Sequence, residues 1–241
     1  MHHRVNQLVS KLSISFLVPL LALDLAFILL HIAARMTHVV PNEPQFLITQ
    51  DGGYAEQFQY VKLLLIVLGL GLLAIRQRSR IFFTWTGIFL YILLDDALEL
   101  HERLGFLLEA AWQLPAIGGL RGQDLGELLV FASVGIISLI SLVWSYRTER
   151  QPATRRTSVY LFVLLLLFAV FGGVVDMVHM AVSAIASPLW LQRLFTILED
   201  GGEMVMVSII AAFVYRLTKS KAPTPAVPVP APIYAEKQAV K

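Results

Sequence analysis

The sequence contains no cysteine. That excludes disulfides, iron–sulfur clusters, thiolate metal sites and covalently attached c-type haem. Charge is scarce as well: Asp, Glu, Lys and Arg make up 15% of the chain, against 57% apolar residues. The familiar hydrolase signatures are missing. There is no H-E-x-x-H, no G-x-S-x-G and no paired histidine box, so no local motif assigns a reaction. Nor is there a basic surface pattern suited to nucleic acid, because Lys and Arg sit at the flanks of apolar segments.

What the chain does have is long apolar runs, with a mean hydropathy of +0.70. This composition lies in the membrane class. A bilayer core takes about 20 apolar residues per helix. The runs predict six spans, at about residues 13–35, 57–75, 81–102, 125–146, 159–182 and 197–217. The expected fold is an all-α polytopic membrane bundle over 1–220, with a Pro/Ala-rich disordered cytoplasmic tail over 221–241. The first run is too long for a signal-peptide core, and no A-x-A cleavage site follows it, so it reads as a retained span. Lys62 must snorkel out of the second span to an interface.

The basic residues are unevenly shared. One set of helix ends carries Arg4, Lys11, Arg76, Arg78, Arg80, Arg147, Arg150, Arg155, Arg156, Arg216, Lys219, Lys221, Lys237 and Lys241; the other has only Arg35, Lys62, Arg103, Arg121 and Arg193. The positive-inside rule then places both termini in the cytoplasm. The carboxylates show the opposite bias, with only Asp24, Glu149 and Glu236 clearly outside the outer half. An ionised side chain at the bilayer centre costs roughly 2.5–3.5 kcal/mol on insertion scales. These acids are therefore expected to face the bundle interior or its outer mouth.

Helix polarity divides the acids into two groups. Asp51, Asp124 and Asp200 stand where spans 2, 4 and 6 enter from outside, and such positions cap free N–H groups. The acids closing spans 3 and 5, namely Asp95, Asp96, Glu99, Glu102 and Asp176, sit at C-termini, where the helix dipole disfavours negative charge. They require protons, basic partners or a metal. In LLDDALELHERLG (93–105), Asp95, Glu99 and Glu102 at i, i+4 and i+7 form one stripe. His101 points away from that stripe if the helix stays regular. Glu99 and Arg103 have ion-pair spacing. Asp176 and His179 share a face above Gly172 and Gly173, small residues that allow close helix approach, and Glu199 and Glu203 form another i, i+4 pair. The three outward spans each carry an Asp followed by a His (Asp24 and His31, Asp95 and His101, Asp176 and His179), and DLGEL and DGGEM open later spans. This pattern is compatible with three copies of one hairpin.

The leading functional expectation is a divalent-metal site (Fe, Mn or Zn) near the periplasmic face, built from Asp95, Glu99, His101, Glu102, Asp176, His179, Glu199 and Glu203. Helix bundles hold metals in this way, with Asp176-x-x-His179 standing in for Glu-x-x-His. Carboxylates with water would suit Ca or Mg instead. Such a site would serve a metal-dependent hydrolase or oxidoreductase acting on a lipid or small-molecule substrate. A zinc arrangement of His31, His101 and His179, or haem between His101 and His179, are variants of this reading. Two other classes stand beside it. One is a proton- or cation-coupled transporter or sensor with Asp24 as a deeper relay. The other is a structural protein whose acids form an ion-pair lattice with Arg103, Arg121, Arg193 and Lys62. The bilayer is a partner in every case, and homo-oligomers fit all three.

LDDALELHERLG also carries a resemblance. Leu-Asp-acid, four residues, then His-Glu at a span's end is similar to an LD(D/E)-x4-HE signature in uncharacterised bacterial multi-pass membrane proteins. Their later acid-x-x-x-Glu-Met element resembles Glu199 to Met204 here. The resemblance implies a bacterial inner-membrane location and brings no activity with it.

Overall fold

A computed structural model describes residues 13–36, 43–118, 120–184 and 188–219. The sequence-predicted tail lies outside these residues, as do Arg4, Lys11, Lys221, Lys237 and Lys241. The architecture is all-helical. Among the described residues the extended pairing is limited to the isolated bridge between Ile117 and Leu120. In chain order the helices are α1 (Ile14–Met36), α2 (Tyr54–Gln77), α3 (Arg80–Leu98), α4 (Leu100–Trp112), α5 (Gly122–Thr148), α6 (Pro152–Ala169), α7 (Asp176–Ala184) and α8 (Leu189–Lys219). A 3-10 turn, Pro44–Phe46, precedes α2, and a π segment, Val170–Val175, joins α6 to α7.

Five stretches are long and apolar enough to cross a membrane: Ile14–Arg35, Tyr54–Gln77, Arg80–Leu98, Gly122–Thr148 and Pro152–Met180. Their apolar side chains point outward as well as inward. Ile136, Ile137 and Ile140 on α5 are each more than half exposed, a face that a water-soluble domain would not present. This is compatible with a membrane protein.

α2 and α8 form the centre. α2 packs on α3 and α8, and α8 in turn meets α1, α6 and the π segment. Leu63, Ile66 and Leu70 of α2 meet Trp85 and Phe89 of α3, Leu161 of α6, and Val207, Ile210, Phe213 and Val214 of α8 in one buried cluster. These positions recur at helical spacing, so each helix turns one stripe inward. Phe16 stacks on Tyr215 at 4.3 Å and fastens α1 to α8. Trp85 donates its ring N–H to Ser158 Oγ at 2.8 Å, joining α3 to α6. At the basic end, Ser79 Oγ donates to Glu149 Oε2 at 2.7 Å, linking the α2–α3 and α5–α6 turns.

Three boundaries differ from expectation. The third span ends at Leu98 instead of 102, because Glu99 takes a left-handed conformation (φ 52°) and α4 starts immediately after it. α8 starts at Leu189, so Asp200 lies well inside a helix and does not open one. The helix that carries Asp176 passes through a π turn just before it.

α4 and α5 meet through two glycines. A Cβ on Gly126 would stand 2.9 Å from both the carbonyl carbon and the Cα of Gly105. Backbone cannot yield as a side-chain tip can, so Gly126→Ala is expected to destabilise the protein by about 1–3 kcal/mol, the range for overpacking. Unfolding of the purified variant in detergent, compared with the unmutated protein, measures this.

Candidate functional site

The first polar feature is buried in mid-bundle. Lys62 Nζ donates to Asp24 Oδ1 at 2.7 Å, to the Met204 carbonyl at 2.8 Å and to Ser208 Oγ at 3.3 Å. Ser208 Oγ donates to Asp24 Oδ2 at 2.5 Å. Lys62, Asp24 and Ser208 are all 0% exposed. The ammonium thus spends its three protons on three acceptors and has no need to snorkel, which corrects the sequence expectation. Its charge also lies 4.8 Å from the centre of the Phe58 ring. Asp24 is a satisfied interhelical partner here, tying α1 to α2 and α8.

One turn away is a small pocket of about 140 Å³. It is lined by Asp51 before α2, Glu56 and Gln59 on α2, Asp96 on α3, and Asp200 and Glu203 on α8, with Ile48, Ala55 and Met204 as its main apolar walls. Among the described residues, no Lys, Arg or His lines it. Gln59 is 5% exposed, and among the described residues its Oε1 has no hydrogen-bond partner. The turn that delivers Asp51 depends on Gly52, whose φ is +70°; its N–H is accepted by Glu56. The Glu203 carboxylate occupies the space that a side chain at Gly172 would take, so the π segment leaves room for one wall of the site. Such segments often occur at functional sites.

The eight expected metal ligands are divided among several places. The helix break at Glu99 dismantles the Asp95–Glu99–Glu102 stripe. Glu99 pairs with Arg103 at 3.5 Å on the surface, as its spacing predicted. Asp95 faces the other way and accepts the His101 backbone N–H at 2.9 Å, while its other oxygen lies 3.0 Å from His101 Nδ1. Asp95 therefore does have a capping role, because a new helix begins within the stretch. The same break brings His101 to Asp95, where a regular helix would have pointed it elsewhere. The His101 ring packs on Phe131 at 4.9 Å, linking α4 to α5. His179 Nδ1 is 2.7 Å from Glu199 Oε2, which joins α7 to α8, and Asp176 faces the same glutamate. Of the eight, Glu203 alone lines the pocket. Among the described residues, no three His, Asp or Glu side chains are arranged to hold one metal ion.

Of the three expected N-terminal caps, Asp124 fills the role, accepting the Arg121 backbone N–H at 2.7 Å. Asp51 and Asp200 line the pocket instead. Arg103 and Arg121 pair with their own helical neighbours, not in a lattice. The repeat is not matched residue by residue. His31 accepts the Ile48 N–H at 3.3 Å, whereas His101 and His179 meet carboxylates. DLGEL starts a helix, and DGGEM lies inside one.

The model of one protein family matches residues 57–217. The chain belongs to that family, a domain of unknown function (DUF8692). No curated protein and no solved structure matches the chain. The family segment contains Gln59, Lys62, Asp96, Asp200, Glu203 and Ser208; Asp24, Asp51 and Glu56 precede it.

Two predictions concern these contacts. Removing Lys62 strands a buried carboxylate, so Lys62→Ala should cost about 3–5 kcal/mol. The double variant Asp24→Asn, Lys62→Met should recover much of that loss in the same unfolding measurement. The second concerns His101, which lies beyond the apolar part of α3. Burial opposes charging its ring, but the hydrogen bond to Asp95 and the charges of Asp95, Glu127 and Glu102 outweigh burial and raise its pKa. Glu102 is raised by burial, with the His101 charge opposing. A raised histidine stabilises the fold fully below its unfolded value of about 6.5. That contribution is lost as the pH climbs through the folded value. The protection factors of the α4 amides, with the intrinsic pH dependence of exchange divided out, should therefore fall as the pH rises through that window, and His101→Gln should flatten that fall.

Proposed function

We propose that this chain is a six-span bacterial inner-membrane protein with both termini in the cytoplasm, working as a proton- or cation-coupled transporter or sensor. The acidic pocket is its outward-facing intake, and the Lys62–Asp24 pair is the coupling element below it. One observation carries this reading. Met204 lines the pocket and also accepts the Lys62 ammonium through its carbonyl, so the two polar features share a wall.

The chemistry follows from desolvation. A buried ammonium and carboxylate are tolerable only while they neutralise each other. A proton delivered to Asp24 removes the counter-charge of Lys62. The ammonium, left with the Met204 carbonyl and Ser208, is then drawn toward the pocket acids beyond the shared Met204 wall. A cation in the pocket and a released Lys62 compete for the same carboxylates, which links proton uptake to cation release. By reciprocity, a cation in the pocket favours the closed Lys62–Asp24 pair. The histidines of the earlier metal reading are engaged with Asp95, Glu199 and the Ile48 N–H, which favours this reading over a His/carboxylate metalloenzyme.

On the inner side the path is closed in the described state. Leu63, Ile66, Leu70 and Ile210 fill the bundle below the pair. The hydroxyls of Thr84, Thr86 and Ser141 bond back to carbonyls of their own helices. A working cycle thus needs a second arrangement of the helices. The test is proton flux in liposomes that contain the purified protein and an entrapped pH-sensitive dye, under an imposed pH gradient. Flux above that of protein-free liposomes, abolished in Asp24→Asn and retained in Asp24→Glu, is the expected result. Flux no greater than in protein-free liposomes would remove the transport form of the proposal.

A further inference from the structure

We infer that the basic end of the bundle binds an anionic phospholipid, with its phosphate on Arg80 between α3 and α5 and an acyl chain along the outer face of α5. This rests on the membrane reading above and does not depend on proton coupling.

Residues 76–80 hold three arginines and residues 147–156 hold four, against a single acid, Glu149. The hydrogen bond from Ser79 to Glu149 sets the two turns side by side, so their positive charge gathers at one place. Glu149 does not discharge it. Its oxygens accept the Ser79 hydroxyl and the backbone N–H groups of Arg150 and Gln151. Among the described residues, none of these arginines is paired with a carboxylate. Such a patch draws anions to the surface.

Aromatic rings hold two of the arginines instead. Arg80 lies over Trp144 at 5.8 Å, and Arg155 lies over Tyr146 at 5.4 Å. A carboxylate would consume the N–H edge of a guanidinium, whereas a ring takes its face and leaves that edge for a phosphate. Arg155 turns one edge N–H back to the Arg147 carbonyl at 3.3 Å. Among the described residues the Arg80 guanidinium has no hydrogen-bond acceptor, so its donors are ready for an anion.

The surface beside Arg80 selects a lipid over a free anion. Ile140 and Ile137 stand at i−4 and i−7 from Trp144, and all three are more than half exposed. An apolar stripe thus runs from the ring toward the middle of α5. Phe83, at i+3 from Arg80 on α3, is exposed to a similar degree. A tryptophan where charge gives way to apolar surface suits the headgroup level of a bilayer. A phosphate on Arg80 therefore lays an acyl chain on the stripe. A choline headgroup would bring a further cation among the arginines, so the headgroup that fits is one without an amine.

The experiment measures thermal protection of the full-length protein in detergent, titrated with phosphatidylglycerol, phosphatidylcholine or glycerol phosphate. Phosphatidylglycerol should protect at a concentration at least about fivefold lower than phosphatidylcholine, the worth of one arginine near an anionic surface. Arg80→Lys keeps the charge but loses the planar donor edge, and should weaken protection about fivefold. Arg156→Lys, away from the ring, should leave it unchanged. Trp144→Leu stays apolar and should weaken protection about two- to fivefold. Unchanged protection in Arg80→Lys would mean diffuse attraction to a basic surface and would overturn the inference. Equal protection by phosphatidylcholine or by glycerol phosphate would overturn it as well, and so would protection by none of the probes. A protein that floats with phosphatidylcholine vesicles after a carbonate wash, yet shows no preference for phosphatidylglycerol, sinks this inference and leaves the membrane reading standing. If it does not float with vesicles at all, both fail.

Discussion

The structure is organised around one buried charge pair. Lys62 and Asp24 sit where no water reaches them, and each charge is tolerable only because the other is within hydrogen-bond distance. That requirement brings α1, α2 and α8 to a common depth and determines what their neighbours do. Ser208 must be a hydroxyl, because it bridges both partners. The Met204 carbonyl must be free to accept, although it lies in a helix. On one side of the pair the inward stripes of α2 and α8 are polar, with Gln59, Asp200 and Glu203. On the other they are wholly apolar, with Leu63, Ile66, Val207 and Ile210. The pair is thus the boundary between a wet half and a dry half of the bundle.

Much of this was legible in the sequence, and the failures have specific causes. The apolar runs located the helices, and the separation of acids from bases located the polar end. The break at Glu99 left no mark: Leu98, Glu99, Leu100, His101 and Glu102 contain no Gly or Pro, and nothing in their composition announces a left-handed residue. Once the break is present, Asp95 turns to His101 and Asp96 to the pocket. Adjacent residues on a helix differ by about 100° in direction, so the choice between them depends on which neighbour stands where. Composition cannot supply that. Asp-Gly-Gly-Glu at 200–203 was misleading in the opposite sense. Glycines are poor helix formers, so the motif looks like a helix start. In the fold Gly201 admits Ile28 and Gly202 admits Phe171, and these contacts hold the glycines inside α8.

Lys62 shows a related limit. A lysine near the end of an apolar run can reach an interface, and transfer scales favour that outcome. The alternative needs a carboxylate, a carbonyl and a hydroxyl from two other helices, one of them 146 residues away in sequence. A partner at such a distance is invisible to any local window. The one sequence signal was Asp24 itself, an acid deep in the first span with no basic residue near it on its own helix.

The π turn at Val170–Val175 sets the angular phase of everything that follows it in the same rod. A turn closed by i→i+5 bonds holds one residue more than an α turn, which advances the remaining helix by about 100°. Leu161 and Leu164 can therefore face the core below the turn, while Asp176 and His179 above it reach Glu199 on α8. Such a wide turn can also migrate along a helix one residue at a time, because each step trades one carbonyl acceptor for its neighbour. Moved past Asp176, it would turn that acid by about 100° while His179 and the lower half kept their directions. The turn that sets this phase lies directly beside the carboxylate of Glu203.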